Sequence, residues 1–250
     1  MPEGPSIVIL REQAAKFTGR RVHEVGGNSR LDIQRMAGER VAALRSWGKH
    51  FLLCLEPPDS DDFTLRVHFL LWGSYRIDER REGSAERLSL RFGNGELNLY
   101  SSSLKYIEGD IDAAYDWSAD VMSDAWDPKA ARLKLRAQPD TLVADALLDQ
   151  DVFAGVGNII KNEVLFRIRV DPHTPVGALS ARKLGELVTQ AREYSFDFYR
   201  WKKDYVLKKH YQVHTRTECP RCARRLQYVA KLGRKQRRAF FCGHCQKRYD

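Results

Sequence analysis

Two pairs of cysteines, Cys219-x2-Cys222 and Cys242-x2-Cys245, stand nineteen residues apart in a stretch rich in Lys and Arg. This spacing offers four thiolates, the donor set of a closed tetrahedral zinc site. A complete thiolate shell leaves no position for water, so one structural Zn2+ is expected and no catalytic metal. Too few apolar residues lie between the pairs to build a core. Metal binding then supplies the folding energy, roughly 10–16 kcal/mol apparent in small finger peptides. His244 is not needed as a ligand, and His214 reads as a surface or phosphate-contacting side chain. The fifth cysteine, Cys54, sits in the run Phe51-Leu52-Leu53-Cys54-Leu55 and reads as a buried, inert thiol.

The other chemistry lies at the start, Met1-Pro2-Glu3-Gly4-Pro5. With Met1 removed, the chain would begin with a secondary amine beside a carboxylate. An α-amino group titrates near 7.7–8.0 and Lys near 10.4, so roughly a third of terminal amines are unprotonated at pH 7.5 against ~0.1% of lysines. Pro2 would then be a nucleophile toward an aldehyde-like carbon, and Glu3 could move protons beside it. From these residues alone, an ordinary mobile terminus is the alternative.

The elements that must position these groups fall into two contrasting halves. Residues 1–127 carry 16 Lys and Arg against 21 Asp and Glu, whereas residues 128–250 carry 26 against 12. The net charges are thus −5 and +14. A basic half joined to an acidic half points to a polyanion held along one side. No apolar run approaches the ~18–20 residues of a membrane span, and residues 1–25 lack a secretory core. A cytoplasmic, intracellular protein with no membrane partner is expected.

Ile7, Leu10, Ala14 and Phe17 share helical spacing, which predicts a helix from Ser6 to Phe17. From Arg21 to about Ile107 short β-type runs follow: 40–45, 50–56, 63–69 and 87–100, the last broken by Gly93-Asn94-Gly95. Such runs predict a β-sandwich or barrel-like domain. Residues 109–127, with six Asp, read as a linker. Asp127-Pro128 opens a helix to about Arg136, Thr141–Asp149 and Asn158–Ile168 are helical by pattern, and Ser180 starts a long amphipathic helix. Strands are expected at 226–229 and 239–241, with a cationic turn at 233–238.

Three separated segments occur in one order: Pro2-Glu3-Gly4-Pro5; Leu147-Leu-Asp-Gln150 through Ala154-Gly-Val-Gly-Asn158 to Glu163-Val-Leu-Phe166; and the four-cysteine finger. Essentially the whole chain resembles the formamidopyrimidine-DNA glycosylase / endonuclease VIII family of base-excision repair enzymes. The resemblance implies an α+β multidomain fold. An N-terminal two-layered β-sandwich with flanking helices would span 1–118, a linker 119–127, a helix–two-turns–helix domain 128–213 and a β-hairpin zinc finger 214–250. It implies a monomeric DNA glycosylase and AP lyase acting on damaged double-stranded DNA, near the nucleoid of a bacterial cell.

Position by position, the resemblance makes Pro2 the Schiff-base nucleophile at C1′ and Glu3 the proton donor and acceptor at the sugar. Lys49, in Trp47-Gly-Lys49-His50-Phe51, matches the lysine acting at the lesion or its phosphate. Asn158 matches the asparagine that holds a phosphate beside the flipped nucleotide, with Gly155 and Gly157 letting main-chain N–H groups approach it. Lys161, one turn further on, joins this DNA-binding set. Arg237 matches the finger-tip arginine counted with the catalytic residues, and the adjacent Arg238 is the alternative. Leu70, Leu71 and Trp72 align with the wedge loop that fills the stack when a base is flipped out, a core strand being the other reading. β-Elimination, then δ-elimination, would cut the strand.

The pattern departs from the oxidised-purine branch. Leu71 occupies the wedge position where Met is typical, and Ser101-Ser-Ser-Leu-Lys-Tyr106 is closer to the endonuclease VIII side. The span between the long helix and Cys219 is short for a purine-capping loop. Oxidised pyrimidines and abasic sites are therefore the expected substrates. An oxidised-purine glycosylase and a non-catalytic zinc-finger paralogue are the alternatives.

Overall fold

Pro5 fixes where the first helix begins. The computed structural model of the chain describes residues 2–57 and 61–250, and in it α1 spans Gly4–Gln13 with Pro5 in its first turn. The helix starts two residues before the expected Ser6, because the fixed φ of proline suits a first turn, whose N–H groups have no partner anyway. It also ends earlier, at Gln13 with Ala14 as its cap, and a 3-10 turn over Ala15–Phe17 completes the segment. Ile7, Leu10, Ala14 and Phe17 are all buried, so the helical spacing marks the core face correctly.

The strands are β1 (Val22–Gly26), β2 (Arg40–Trp47), β3 (His50–Glu56), β4 (Phe63–His68), β5 (Ser74–Ile77), β6 (Leu88–Phe92), β7 (Gly95–Tyr100) and β8 (Ser103–Glu108). They form two antiparallel four-stranded sheets, ordered β1-β6-β7-β5 and β2-β3-β4-β8. One core joins them. Phe51, Leu53 and Leu55 with Phe63, Leu65 and Val67 enter it from one sheet, and Leu88, Leu90, Leu97 and Leu99 from the other. The period of two in these residues is that of half-buried strands. The expected sandwich is present. The edge strands β1 and β5 carry no comparable alternation, which hid them in the sequence.

The chain divides into a unit ending at Asp116 and a second from Trp117 to Asp250. The stretch read as a linker has structure of its own. Asp110 caps α2 (Ile111–Ala114), and residues 119–121 pair with Ala154 inside the second unit. Val121 is fully buried, and Arg192 donates to the carbonyls of Val121 and Ser123. In α3 (Pro128–Arg136) the Asp127 carboxylate accepts from the Lys129 N–H at 2.7 Å, as a cap should. The helix expected over 141–149 is only α4 (Val143–Ala146), followed by turns. Next come α5 (Asn158–Arg167) and α6 (Ala181–Lys203), the latter capped by Ser180. The hairpin of β9 (Gln227–Leu232) and β10 (Arg237–Phe241) sends Leu232, Ala239 and Phe241 into the same core as α5 and α6. The finger is thus continuous with the helical unit. Among the described residues, no helix is long and apolar enough to cross a membrane.

Candidate functional site

In the first unit, Pro2 is half-buried and Glu3 is 1% exposed at the N-cap of α1. The Glu3 side chain makes no capping hydrogen bond to the helix. Lys49 lies in the two-residue Gly48-Lys49 turn joining β2 to β3, with Trp47 paired to His50 across it. Gly48 has φ 52°, which a type II′ hairpin demands at its first position. The base of this turn is a ring cluster. Trp47 Nε1 donates to the Asp116 carbonyl at 2.9 Å, and His50 Nδ1 lies 3.1 Å from the Tyr115 hydroxyl. Burial, then the charges of Arg66, His68 and Lys49, push His50 down to about 3, so it is neutral at pH 7.

His50 also pairs with His68 at the end of β4, and His68 with Ser103 at the start of β8. The Gly48-Lys49 turn and the segment after His68 therefore leave the same end of one sheet. That segment, expected as a wedge loop or a core strand, is an exposed turn. Phe69 is buried, but Leu70 is 49%, Leu71 47% and Trp72 85% exposed. The turn is fixed on both sides. The Leu70 N–H donates to His68 Nδ1 at 3.3 Å, and the Gly73 N–H donates to the Phe69 carbonyl at 2.8 Å. Leu70 has φ 52°, in the left-handed region, and a Cβ on Gly73 would collide with the Phe69 carbonyl oxygen. Fully burying such side chains is worth about 1.5–3 kcal/mol each, a gain left unrealised until something covers them.

In the second unit, Gly155 has φ 100°, and its N–H donates to the Gln150 side chain at 3.1 Å. That amide is used internally, so Gly155 shapes the turn and does not approach a phosphate through its own N–H. Gly157 caps α5, and Asn158 begins it, 8% exposed. A helix N-terminus with small residues before it suits an anion. Lys161 requires a correction as a DNA contact: it is 1% exposed, with Nζ donating to Asn158 Oδ1 at 2.9 Å and to the Arg238 carbonyl at 2.8 Å. His214 is also no surface group. It is buried, 3.1 Å from the Asn162 amide, and burial followed by the charges of Arg238 and Lys161 lowers it to about 4. Arg237 is half-buried, its backbone in register with Leu232, while Arg238 is exposed at the irregularity between Arg237 and Ala239. The tip turn is thus 233–236, and both arginines open a strand.

The four cysteine sulfurs lie within 4.8 Å of one another. Cys219 and Cys245 are 3.8 Å apart, and Cys222 and Cys242 3.6 Å, far beyond a disulfide. A tetrahedron of 2.3 Å metal–sulfur bonds separates its sulfurs by about 3.8 Å, so the donor set fits such an ion. Cys245 is pushed up to about 12 by burial and the neighbouring thiols. A dication at the centre reverses that penalty, since coordination deprotonates the thiol. Cys54 is only half-buried, with its thiol raised by burial.

The formamidopyrimidine-DNA glycosylase N-terminal domain family matches residues 1–102, and the formamidopyrimidine-DNA glycosylase H2TH domain family matches residues 118–194. The chain belongs to the formamidopyrimidine-DNA glycosylase / endonuclease VIII family. It is 34% identical to Endonuclease 8-like 3 of Mus musculus over 73% of this chain and 31% of that protein. It is 27% identical to Endonuclease 8 2 of Mycobacterium bovis over 99% of this chain and all of that one. The chain spans about a third of the length of the Endonuclease 8-like 3 relatives it matches. The fold is that of the Lactococcus lactis formamidopyrimidine-DNA glycosylase bound to DNA containing an AP site, with TM-score 0.84, 22% identity, and 98% and 100% of the two chains covered.

Two groups that hold this family fold together here escaped the sequence reading. Asp145, buried on α4, accepts from the Arg234 and Lys235 N–H groups at 2.7 and 3.1 Å, and Gly233 leaves the space its carboxylate fills. Glu163 is fully buried and accepts from the N–H groups of Gln212, Val213 and His214 at 2.8–3.1 Å. Burial raises its carboxyl against the pull of those donors. A signal existed for Glu163, since Asn158, Lys161, Asn162 and Glu163 cluster in the first six residues of a helix that is otherwise apolar up to Arg167. Nothing local marks Asp145.

Proposed function

We propose that this protein is a bifunctional DNA glycosylase and AP lyase of base-excision repair. It acts on damaged double-stranded DNA, with oxidised pyrimidines and abasic sites as substrates. The observation that carries this reading is the Leu70-Leu71-Trp72 tip, three consecutive apolar side chains held in water by a locked turn. A flipped-out base leaves a gap of apolar faces in the duplex, and such a tip fills it. Pro2, freed by removal of Met1, attacks C1′ through its nitrogen lone pair as the C1′–base bond breaks. Glu3 takes the proton that the Pro2 nitrogen sheds once the base has left with the C1′–N electron pair. It passes that proton to the ring oxygen O4′ as the sugar opens to the iminium, and as carboxylate then accepts the C2′ proton. Loss of a C2′ proton then expels the 3′-phosphate from C3′. Lys49 serves the lesion or its phosphate.

Asn158, the start of α5, and Arg237 and Arg238 at the head of β10 hold backbone phosphates. The metal is zinc, held by Cys219, Cys222, Cys242 and Cys245, and it keeps the finger folded. Preference for pyrimidines is supported by Leu71 in the wedge and by the short segment between α6 and Cys219. That segment has little slack, because Glu163 holds 212–214 and Arg216 donates to the carbonyls of Tyr211 and Lys208.

The test is borohydride trapping on DNA carrying an abasic site, alongside mass spectrometry of the N-terminus. A covalent adduct located at Pro2 is expected. No adduct from protein shown to lack Met1 rejects the lyase. Faster excision of 8-oxoguanine opposite cytosine than of thymine glycol rejects the pyrimidine preference.

A further inference from the structure

We infer that Lys161 is a positioning residue that sets which way the Asn158 amide faces and ties it to the finger strand carrying Arg238. The inference rests on the proposed phosphate-binding role of Asn158. An asparagine amide offers an acceptor on one side and two donors on the other, and a phosphate takes only donors. An ammonium can donate but never accept, so the 2.9 Å contact from Lys161 Nζ fixes Oδ1 as the inward atom. Nδ2 is thereby turned away from Lys161, presenting N–H where α5 begins. The reverse rotamer would set N–H against N–H around a group only 1% exposed.

The same ammonium donates to the Arg238 carbonyl at 2.8 Å. One buried charge therefore holds two groups that the proposed function assigns to the same strand, although 80 residues separate them in sequence. The arrangement is supported further along the helix, where the Asn162 amide oxygen accepts from the Phe240 N–H at 3.4 Å. Lys161 itself is withdrawn from solvent, so it acts through its partners and not as a phosphate ligand.

The test is a double-mutant cycle on DNA carrying a tetrahydrofuran abasic analogue, read by fluorescence anisotropy across a salt series. Zinc content and melting temperature serve as controls. Asn158→Ala and Lys161→Met should each weaken binding roughly tenfold, the value of one charge-assisted contact. The double variant should bind no worse than Asn158→Ala alone, and Lys161→Arg, which can still donate to both partners, should recover most of the loss.

Additive losses would mean that Lys161 acts by its own charge, and would overturn the inference. Should Lys161→Met fail to fold, the Arg variant and the side-chain amide resonances of Asn158 carry the test. Those resonances should stay near their wild-type shifts in Lys161→Arg, which still donates to Oδ1; if they move to free-asparagine values while DNA binding is retained, orienting the amide is not what Lys161 supplies. If Asn158→Ala binds as wild type, the phosphate role of Asn158 falls instead, and with it the purpose assigned to Lys161.

Discussion

Glu3 shows what a single residue can do by position alone. Its carboxylate is buried at the head of α1, next to the nitrogen that the proposed chemistry needs. Pro2→Gly should lower borohydride trapping by at least about a hundredfold while DNA affinity changes little, because it alters the nucleophile and leaves the phosphate contacts intact. An equal fall in affinity would make Pro2 structural. Glu3→Gln should keep the helix but slow turnover by roughly 10²–10⁴, the range for lost proton transfer, as single-turnover kinetics would show. At this scale the sequence was most legible where chemistry depends on residue type, as at the Cys pairs, whose four sulfurs the fold brings together. It was least legible where a polar side chain is used internally. Lys161 and His214 looked like surface cations, yet both are buried because main-chain and amide groups satisfy them.

At the scale of elements, the turn after His68 and α5 make opposite demands. Trp72 is 85% exposed, so Trp72→Ala should leave the unfolding free energy within about 0.5 kcal/mol, yet it removes a stacking surface worth about 1–3 kcal/mol. Unchanged excision by that variant would remove the tip from the mechanism. Helix α5 instead carries its polar residues inward, and His214 opposite Asn162 makes that arrangement sensitive to acid. Folding holds His214 near 4 against an ordinary 6.5, so the unfolded chain takes up the proton first as pH falls. Stability from this group is full above pH 6.5 and is lost on the way down to pH 4, by about 3 kcal/mol. Urea unfolding of wild type and His214→Gln between pH 7 and 4.5 should show a shallower decline in the variant. Identical slopes would assign the acid sensitivity to other groups. Strand alternation and helix caps gave the elements reliably, as at Asp127 and Ser180. The helix expected over 141–149 failed because α4 gives way to turns right after Ala146.

For the whole molecule, the charge asymmetry is the property the sequence displayed most openly, and it belongs with the proposed DNA partner. Arg237→Ala should reduce the salt dependence of DNA binding by about one phosphate contact. Cys242→Ser should release the metal and loosen the tail, detected by zinc release and by proteolysis of the last residues. Because β10 shares a core with α5 and α6, that loss should also lower the melting temperature of the helical unit. A metal-free protein with an unchanged melting curve would separate the two. The division into units was harder to read, since acidic, small-residue segments resemble linkers until their backbone pairing is known.

The Asp145 clamp has a practical side. It grips the finger turn through the amide hydrogens of residues 234 and 235, and the glycine before them leaves the space the carboxylate fills. Anchorage and recognition are therefore decoupled: new side chains can be grafted at 234 and 235, retuning what the tip reads, without rebuilding the scaffold that aims it.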